Sequence, residues 1–586
     1  MNGDRLDRGA LLRWTVVLLL GSVVVQLFVL QIVRHDAYRR QAKQNREVER
    51  RVPAPRGRIL DREGNVLADN VFGAAITVSR RALTPAGPDS TLSRLLTWFA
   101  LPEAETLERL LRQQREGRSR LVLVSDATMP QIALVREMAD MLPGVAVETR
   151  RRRRYHRGPL FAHLLGYVGE VSADDMRRHP DREYRPGDMV GRTGLEATRE
   201  AWLRGRDGRA LEEIDARGRV VSRRRQLLRP VQPGRDLRLT LSAALQESLA
   251  AAMAGRRGCG VAMALPTGEI LAAVSLPTFD PNRLAGGISS DRWRSLTRDP
   301  EHPLLNRLVQ AIYPPGSPYK IVTSLTAFRT GAAGPHTRYL PCTGSYRFGN
   351  RIFRCWKATG HGDVDHTAAL VHSCDVFYYQ LVQHLDLASL AATARLLGLG
   401  RRTGVPLPGE LAGNIPTREW YDRRFGRGRW SRGVLLNDAI GQGEVLVTPL
   451  QMVVMTGRVA TGLADLSPRL VLPDSGAVAP AATPLALPAP ALDWLQRTMR
   501  QVVDIGTGMR ARLASMHVAG KTGTAQNPHG EDHAWFVCYA PAEAPRVAVA
   551  VILENAGHGG AVAAPVAARW LRAYAEWSGE GSGRGD

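Results

Sequence analysis

The segment Tyr313-Pro314-Pro315-Gly316-Ser317-Pro318-Tyr319-Lys320 sets a serine and a lysine three residues apart behind a Pro/Gly turn. A serine hydroxyl is a poor nucleophile at neutral pH and needs a base within hydrogen-bond reach. If Ser317 opens a helix, Lys320 shares its face and meets that need, because residues three apart are neighbours on a helix. Two further strings follow in order, Ser373-Cys374-Asp375 and Lys521-Thr522-Gly523-Thr524. Together the three read as one serine site that passes through an acyl intermediate, with Ser317 as nucleophile and Lys320 as base.

At 586 residues and 44% apolar content, the chain predicts folded protein of two or more domains. Trp14 to Val33 is an uncharged apolar run long enough, at about 1.5 Å per residue, to cross a hydrocarbon layer of about 30 Å. It exceeds the core of a signal peptide and runs into Arg34-His35-Asp36, with no small-residue cleavage site, so it reads as an uncleaved anchor. Arg5, Arg8 and Arg13 precede it and Arg34, Arg39 and Arg40 follow, which leaves the flanking charges nearly balanced. The net charge of +23 comes from arginine spread over the whole chain, including Arg150 to Arg154 and Arg223 to Arg225. No aromatic-interleaved basic motif accompanies it, so nucleic acid is not the expected partner. A solvated basic surface is one reading; attraction to anionic lipid headgroups, pyrophosphate-linked precursors or wall polymers is the other.

Between Arg56 and Ala68 the Gly and Asp clusters mark turns between short strands, and from Thr91 to Gly144 the apolar spacing is helical. Gly191-Arg192-Thr193-Gly194-Leu195-Glu196 leads into a helix ending near Leu203. The texture changes near Gly234. A strand at Leu237 to Leu241, a helix from Leu245 to Met253, and a hairpin of Cys259 to Ala264 with Ile270 to Ser275 open a second domain. Lys521 to Ala525, Ala534 to Tyr539 and Val547 to Leu553 supply more strands, and Val562 to Trp577 an amphipathic helix. The expectation is an α+β chain whose antiparallel sheet draws its edges from both ends of the second domain around a helical insert. The expected division is 1–13 tail, 14–33 anchor, 34–235 N-terminal domain, 236–577 catalytic domain and 578–586 disordered tail.

These strings, with Arg56-Gly57-Arg58-Ile59-Leu60-Asp61-Arg62, Thr267-Gly268-Glu269-Ile270, Asn306-Arg307, Gly441-Gln442-Gly443 and Thr448-Pro449-Leu450-Gln451-Met452, make the chain resemble the class B high-molecular-mass penicillin-binding proteins. These are the monofunctional transpeptidases of peptidoglycan synthesis. Asp375, in place of the wider family's asparagine, resembles the elongation-type subgroup, penicillin-binding protein 2, as do Thr417-Arg418-Glu419-Trp420 and Ile552-Leu553-Glu554-Asn555. The resemblance implies an elongated pedestal of dimerisation type below a penicillin-binding domain. It also implies a single-pass inner-membrane protein with a short cytoplasmic N-terminus and a periplasmic catalytic domain.

The resemblance further implies that Ser317 attacks the penultimate D-alanine carbonyl of a stem pentapeptide and expels the last D-alanine. An amine of a neighbouring stem peptide then resolves the acyl-enzyme into a cross-link, and β-lactams acylate the same serine. A lysine titrates near 10.4 in water, so one that serves as base near pH 7 must be held neutral against about 4 kcal/mol. Burial and the like charge of Lys521 are the expected causes. Pro318 costs little in a first helical turn. The oxyanion hole would use the backbone N–H groups of Ser317 and Thr524, with Thr522 and Gly523 lining the substrate. An ionised Asp375 near Lys320 opposes a neutral lysine, so Asp375 is either shared among several donors or partly protonated. Ser373 is expected to relay a proton between Lys320, Lys521 and the leaving or attacking amine.

Of the five cysteines, Cys259 and Cys538 fall in expected strands and read as buried small hydrophobes. Cys342 and Cys355 bracket a hairpin pattern with a Gly349-Asn350 turn, His361 follows, and Cys374 lies inside the second catalytic string. If all four converge, they form a Cys3His set suited to structural zinc; a Cys342 to Cys355 disulfide and free thiols are the rivals. The chemistry itself calls for no cofactor. His163, His336, His366 and His533 show no metal-like spacing.

Other readings stay open: a carboxypeptidase or β-lactamase sharing the acyl-serine fold, a division-type transpeptidase, or a scaffold that activates a membrane glycan polymerase. The implied partners are a SEDS-family glycosyltransferase and the rod-shape complex.

Overall fold

Every residue of strand Val547–Leu553 is fully buried. Its alternate residues enter different cores, which explains why VAVAVIL is apolar throughout instead of alternating. Val547, Val549, Val551 and Leu553 pack with helices Ala243–Met253 and Gly559–Trp577. Ala548, Ala550 and Ile552 face a larger core that holds Met452 and Met455 of helix Pro449–Thr461 and Ile321 and Leu325 of helix Lys320–Thr330. The strand is thus the centre of a helix–sheet–helix sandwich.

The structure, a computed structural model, describes residues 8–39, 47–80, 90–118, 120–213, 226–285, 288, 290–473, 482–528 and 530–579. The start of the expected N-terminal tail, the Arg223 to Arg225 run and the expected C-terminal tail from 580 onward lie outside the described residues.

The five strands around Val547–Leu553 are antiparallel, in the spatial order Ile270–Leu276, Gly258–Ala264, Val547–Leu553, His533–Ala540, Ala519–Ala525. The edges come from the two ends of the domain, as the sequence predicts, and the helical insert lies between them in the chain. Cys259 and Cys538 are fully buried in strands. Lys521, Thr522, Gly523 and Thr524 lie on the edge strand Ala519–Ala525.

The chain divides into two compact units, residues 1–57 with 204–235, and residues 58–203 with 236–586. The second therefore includes, besides the catalytic sheet, a five-stranded sheet in which Val66–Ser79 pairs with Val145–Tyr155 from Ala68↔Tyr155 to Val78↔Val145. Helices Thr91–Trp98 and Glu103–Arg115 occur where the apolar spacing is helical. Within that span Arg120–Val124 is a strand instead, buried at alternate residues and paired with Ser79 to Ile76. Its period of two is hidden in a four-residue apolar run, Leu121 to Val124, where helix and strand patterns coincide. The Gly191 to Glu196 string ends in helices Gly194–Thr198 and Glu200–Leu203, and Glu196 is fully buried against Arg153 at 2.7 Å.

In the first unit, helix Arg8–Phe28 continues as a wider turn over Val29–Val33. Gly9–Val33 is long and apolar enough to cross a membrane, with a mean hydropathy of 2.6. A three-stranded sheet follows, in the order Glu47–Val52, Gly208–Glu213, Gln226–Arg229.

Trp570 ties the two outer helices to each other over the sheet: it is fully buried in the core they share with it, and its indole N–H donates to Leu245 O at 3.0 Å. Trp570→Ala is expected to cost about 3–5 kcal/mol, read as a lower urea midpoint of the catalytic unit. An unchanged midpoint would contradict this packing.

Candidate active site

Gly316 turns the chain with φ +61°, and Ser317–Tyr319 form a 3-10 turn that runs directly into helix Lys320–Thr330. Ser317 and Lys320 thus open one helix, as their spacing predicts. The turn is held on three sides. Gly316 N–H donates to Gly441 O at 2.8 Å, Tyr313 exchanges two backbone hydrogen bonds with Val447, and Trp535 Nε1 donates to Pro314 O at 3.0 Å. Glycine is required on both sides of the approach between this turn and the edge strand. A Cβ on Gly316 would meet Thr524 O at 2.7 Å, and one on Gly523 would meet Pro318 Cδ at 2.5 Å. Below the turn, Glu554 accepts from Tyr313 Oη at 2.6 Å and Arg307 Nε at 2.8 Å. Burial alone would raise the Glu554 pKa, but the bonds from Arg307 and Tyr313 prevail and hold it below the usual carboxylate range.

Ser373 Oγ is the hub. It donates to Ser317 Oγ at 2.9 Å and accepts from Lys320 Nζ at 3.2 Å and Lys521 Nζ at 3.0 Å. Both lysines have no exposed surface. Lys320 is ion-paired with Asp375 Oδ1 at 2.7 Å and donates to Ser373 O at 2.8 Å. Lys521 has no carboxylate partner among the described residues, and its second acceptor is Thr522 O at 3.2 Å. Burial first, and then the charge of Lys320, push the Lys521 ammonium well below its ordinary pKa, against the opposing anion of Asp375. Among the described contacts, Ser317 reaches the lysines through Ser373 and makes no direct hydrogen bond to Lys320.

Asp375 opens helix Asp375–Leu381, where a carboxylate is favoured by the helix N-terminus. Its other oxygen accepts from Trp356 N at 3.0 Å, so it is shared between donors on two segments. Ser373 sits at φ +59°, a left-handed conformation that costs a non-glycine residue about 1–3 kcal/mol. The hydrogen bonds to its side chain and carbonyl hold it there. On the edge strand, Thr522 Oγ1 lies 2.6 Å from Thr507 Oγ1, and Thr524 O accepts from Gln442 Nε2 at 2.9 Å.

This arrangement supplies a half-buried serine, a proton path to a buried lysine without a carboxylate partner, and an edge strand beside the serine against which an extended peptide can lie. Residues 258–572 match the penicillin binding protein transpeptidase domain, and residues 51–239 match the penicillin-binding protein dimerisation domain. The chain belongs to the penicillin-binding protein transpeptidase family. The peptidoglycan D,D-transpeptidase MrdA of Acinetobacter baumannii is 32% identical, over 95% of this chain and 88% of its own length. Among solved structures, the Helicobacter pylori penicillin-binding protein PBP2 in complex with MreC superposes with a TM-score of 0.79 at 27% identity, over 90% of this chain and 99% of that one. A chain from a structure of the coordination of polymerization and crosslinking by a peptidoglycan synthase complex gives 0.71 at 31% identity, over 97% and 98%.

In this penicillin-binding protein Cys342, Cys355, His361 and Cys374 also converge, with their donor atoms all within 4.8 Å of one another. Cys342 Sγ and Cys355 Sγ lie 3.7 and 3.5 Å from His361 Nδ1. A tetrahedral zinc with bonds of about 2.0–2.3 Å would set such donors about 3.5–3.8 Å apart, so the residues fit that ion. No disulfide joins any of the five cysteines among the described residues. His163 and His366 are instead directed at Pro277 O and Gly334 O, His336 is exposed near Asp365, and His533 faces Asn555 N.

Trp356, Gln442 and Thr507 are part of the site but were not singled out from the sequence as site residues. Trp356 Nε1 donates to Ser373 O at 3.1 Å while more than half of the residue stays exposed beside the serine loop. Its position next to Cys355 was the one available signal.

Titration of Lys521 followed by NMR on labelled lysine tests these electrostatics. Lys320→Met is expected to raise the pH at which Lys521 titrates, because a like charge is removed; Asp375→Asn is expected to lower it. A Lys521 pKa unmoved by Lys320→Met would contradict this account.

Proposed function

We propose that the chain is a peptidoglycan D,D-transpeptidase of the elongation type. The observation that carries this reading is the continuous path Ser317–Ser373–Lys521, set beside Lys320 and Asp375. Ser317 Oγ attacks the penultimate D-alanine carbonyl of a stem pentapeptide as its proton leaves through Ser373 Oγ, the two hydroxyls turning so that Ser317 donates to Ser373 and Ser373 to the neutral Lys521 Nζ. The Ser317–Lys320 spacing by itself assigns the base role to Lys320. The geometry favours Lys521 as the terminal acceptor, because burial and Lys320 hold it toward the neutral form, whereas Lys320 is paired with Asp375 and fixes Ser373. The oxyanion that forms on the carbonyl is stabilised by the backbone N–H groups of Ser317 and Thr524. The tetrahedral intermediate collapses, the C–N bond to the terminal D-alanine breaks, and the returning proton leaves with that amine. The amine of a second stem peptide then attacks the acyl-enzyme carbonyl, gives up its proton along the same path and frees Ser317. Thr522, Gly523 and Thr524 seat the donor peptide along the edge strand. β-Lactams acylate Ser317 by the same attack.

The MrdA relatives and the PBP2–MreC and synthase-complex structures support a place in lateral-wall synthesis, beside a SEDS-family glycan polymerase and rod-shape proteins. The helix Gly9–Val33 supports a single inner-membrane span, with residues 1–13 in the cytoplasm and the domains at 34–235 and 236–577 in the periplasm. Cys342, Cys355, His361 and Cys374 would hold a structural zinc, which would brace the loop that carries Ser373 and Asp375 without entering the chemistry.

Two experiments test these readings. In the first, the full chain is supplied with uncross-linked glycan strands bearing pentapeptides, and muropeptide digests are scored for dimers. Ser317→Ala is expected to abolish dimers; a variant that still cross-links would contradict the acyl-serine reading. The second is elemental analysis of the purified chain. About one zinc per chain is expected, falling sharply in Cys355→Ser. Metal-free wild-type protein with an intact Cys342–Cys355 disulfide would overturn the zinc assignment.

A further inference from the structure

A cavity of 420 Å³ lies between the end of helix Leu387–Leu396 and the segment after it, the last turns of helix Pro449–Thr461, and residues 464–468. Arg401, Arg402, Thr403, Arg458, Asp465 and Ser467 line it. None of these residues belongs to the serine site. Arg458 is 5% exposed, yet it forms no ion pair among the described residues; its contacts are main-chain carbonyls, Leu396 O at 2.9 Å from Nη1 and Leu466 O at 3.2 Å from Nη2 and 3.4 Å from Nε. A guanidinium has five N–H donors, so two remain. Burial, and then the nearby Arg401, push this guanidinium down to about 10, with only Asp465 acting the other way. Arg401 and Arg402 are also without a carboxylate partner among the described residues. Among the lining residues three guanidinia stand against one carboxylate, which leaves two positive charges unmatched in the lining of one concave, polar space.

The walls are built to stay in place. Gln451, from the Thr448-Pro449-Leu450-Gln451-Met452 string, donates through Nε2 to Arg401 O at 2.8 Å and to Ala412 O at 2.7 Å, fixing the main chain that carries two of the arginines. Gly398, at φ +96°, lets the chain turn over the buried guanidinium; a Cβ there would lie 3.2 Å from Val454 Cγ1 and 3.5 Å from Arg458 Cζ. A buried charge is retained at a cost unless it is paired, and pairing by an incoming anion meets that need. Arginine forks match the oxygens of phosphoryl groups, and the hydroxyl of Ser467 supplies a further donor, whereas the Thr403 hydroxyl already donates to Glu410 Oε1 at 2.5 Å.

We propose that this cavity binds a phosphate-type dianion, a phosphate or pyrophosphate group, through Arg401, Arg402 and Arg458. A carboxylate would neutralise only half of the unmatched charge. The group can arrive on a soluble molecule or on a lipid headgroup, and the test separates these sources.

Full-length protein in a non-ionic detergent is titrated calorimetrically with sodium pyrophosphate at constant ionic strength set with chloride. Single-site saturable binding is expected, weakened at least about tenfold in the Arg401→Ala/Arg402→Ala double variant. Both replaced side chains are exposed, so the double variant is expected to fold and to react with penicillin at the wild-type rate. In the second arm, bilayer discs of phosphatidylcholine with and without a polyprenyl pyrophosphate compete against the soluble ligand. Competition by the lipid, or arginine-dependent binding of the lipid alone, assigns the site to a headgroup; binding of soluble pyrophosphate without competition assigns it to a soluble ligand. Absence of saturable binding in both arms, or equal affinity in wild type and double variant, would overturn the proposal.

Discussion

Two lysine side chains with no exposed surface converge on one serine oxygen, and the rest of the catalytic unit is arranged to make that tolerable. Removing an ammonium group from water is costly unless it is paired or neutral. The structure uses one solution for each lysine. Lys320 is paired with Asp375 at 2.7 Å, and Lys521, without such a partner, is pushed toward its neutral form. The asymmetry gives Ser373 a fixed donor on one side and a candidate proton acceptor on the other, with Ser317 2.9 Å away.

That geometry depends on the sheet. Lys521 comes from an edge strand, whereas Ser317, Lys320 and Ser373 come from the helical insert, so strand and insert must approach closely. Gly316 and Gly523 permit the approach, and Gln442 ties the strand's Thr524 carbonyl to the insert. The sandwich around Val547–Leu553 provides the rigid reference for both. The strained backbone at Ser373 and the Cys3His cluster next to it belong to the same device: a loop that would relax by itself is held by bonds to its side chain, its carbonyl and its neighbours.

Much of this was legible in the sequence because it is local or strongly patterned. The spacing of Ser317 and Lys320, the all-apolar Val547 to Leu553 strand and the Gly349-Asn350 hairpin each rest on a short-range rule, and each is found in the structure. The convergence of Cys342, Cys355, His361 and Cys374 was legible as a condition, since hairpin ends meet. What was not legible depends on distant segments. Arg120–Val124 reads equally well as helix until its partner strand is known. The different environments of Lys320 and Lys521 depend on which of them Asp375 faces. The cavity around Arg458 is assembled from three segments and leaves no motif in any of them.

The central claim is that Ser317 is the acylated nucleophile, and intact-mass spectrometry of the purified chain with and without benzylpenicillin, followed by peptide mapping, tests it most directly. The account predicts a single covalent adduct on the peptide containing Ser317. A folded chain that forms no adduct, or forms one on another residue, would contradict it.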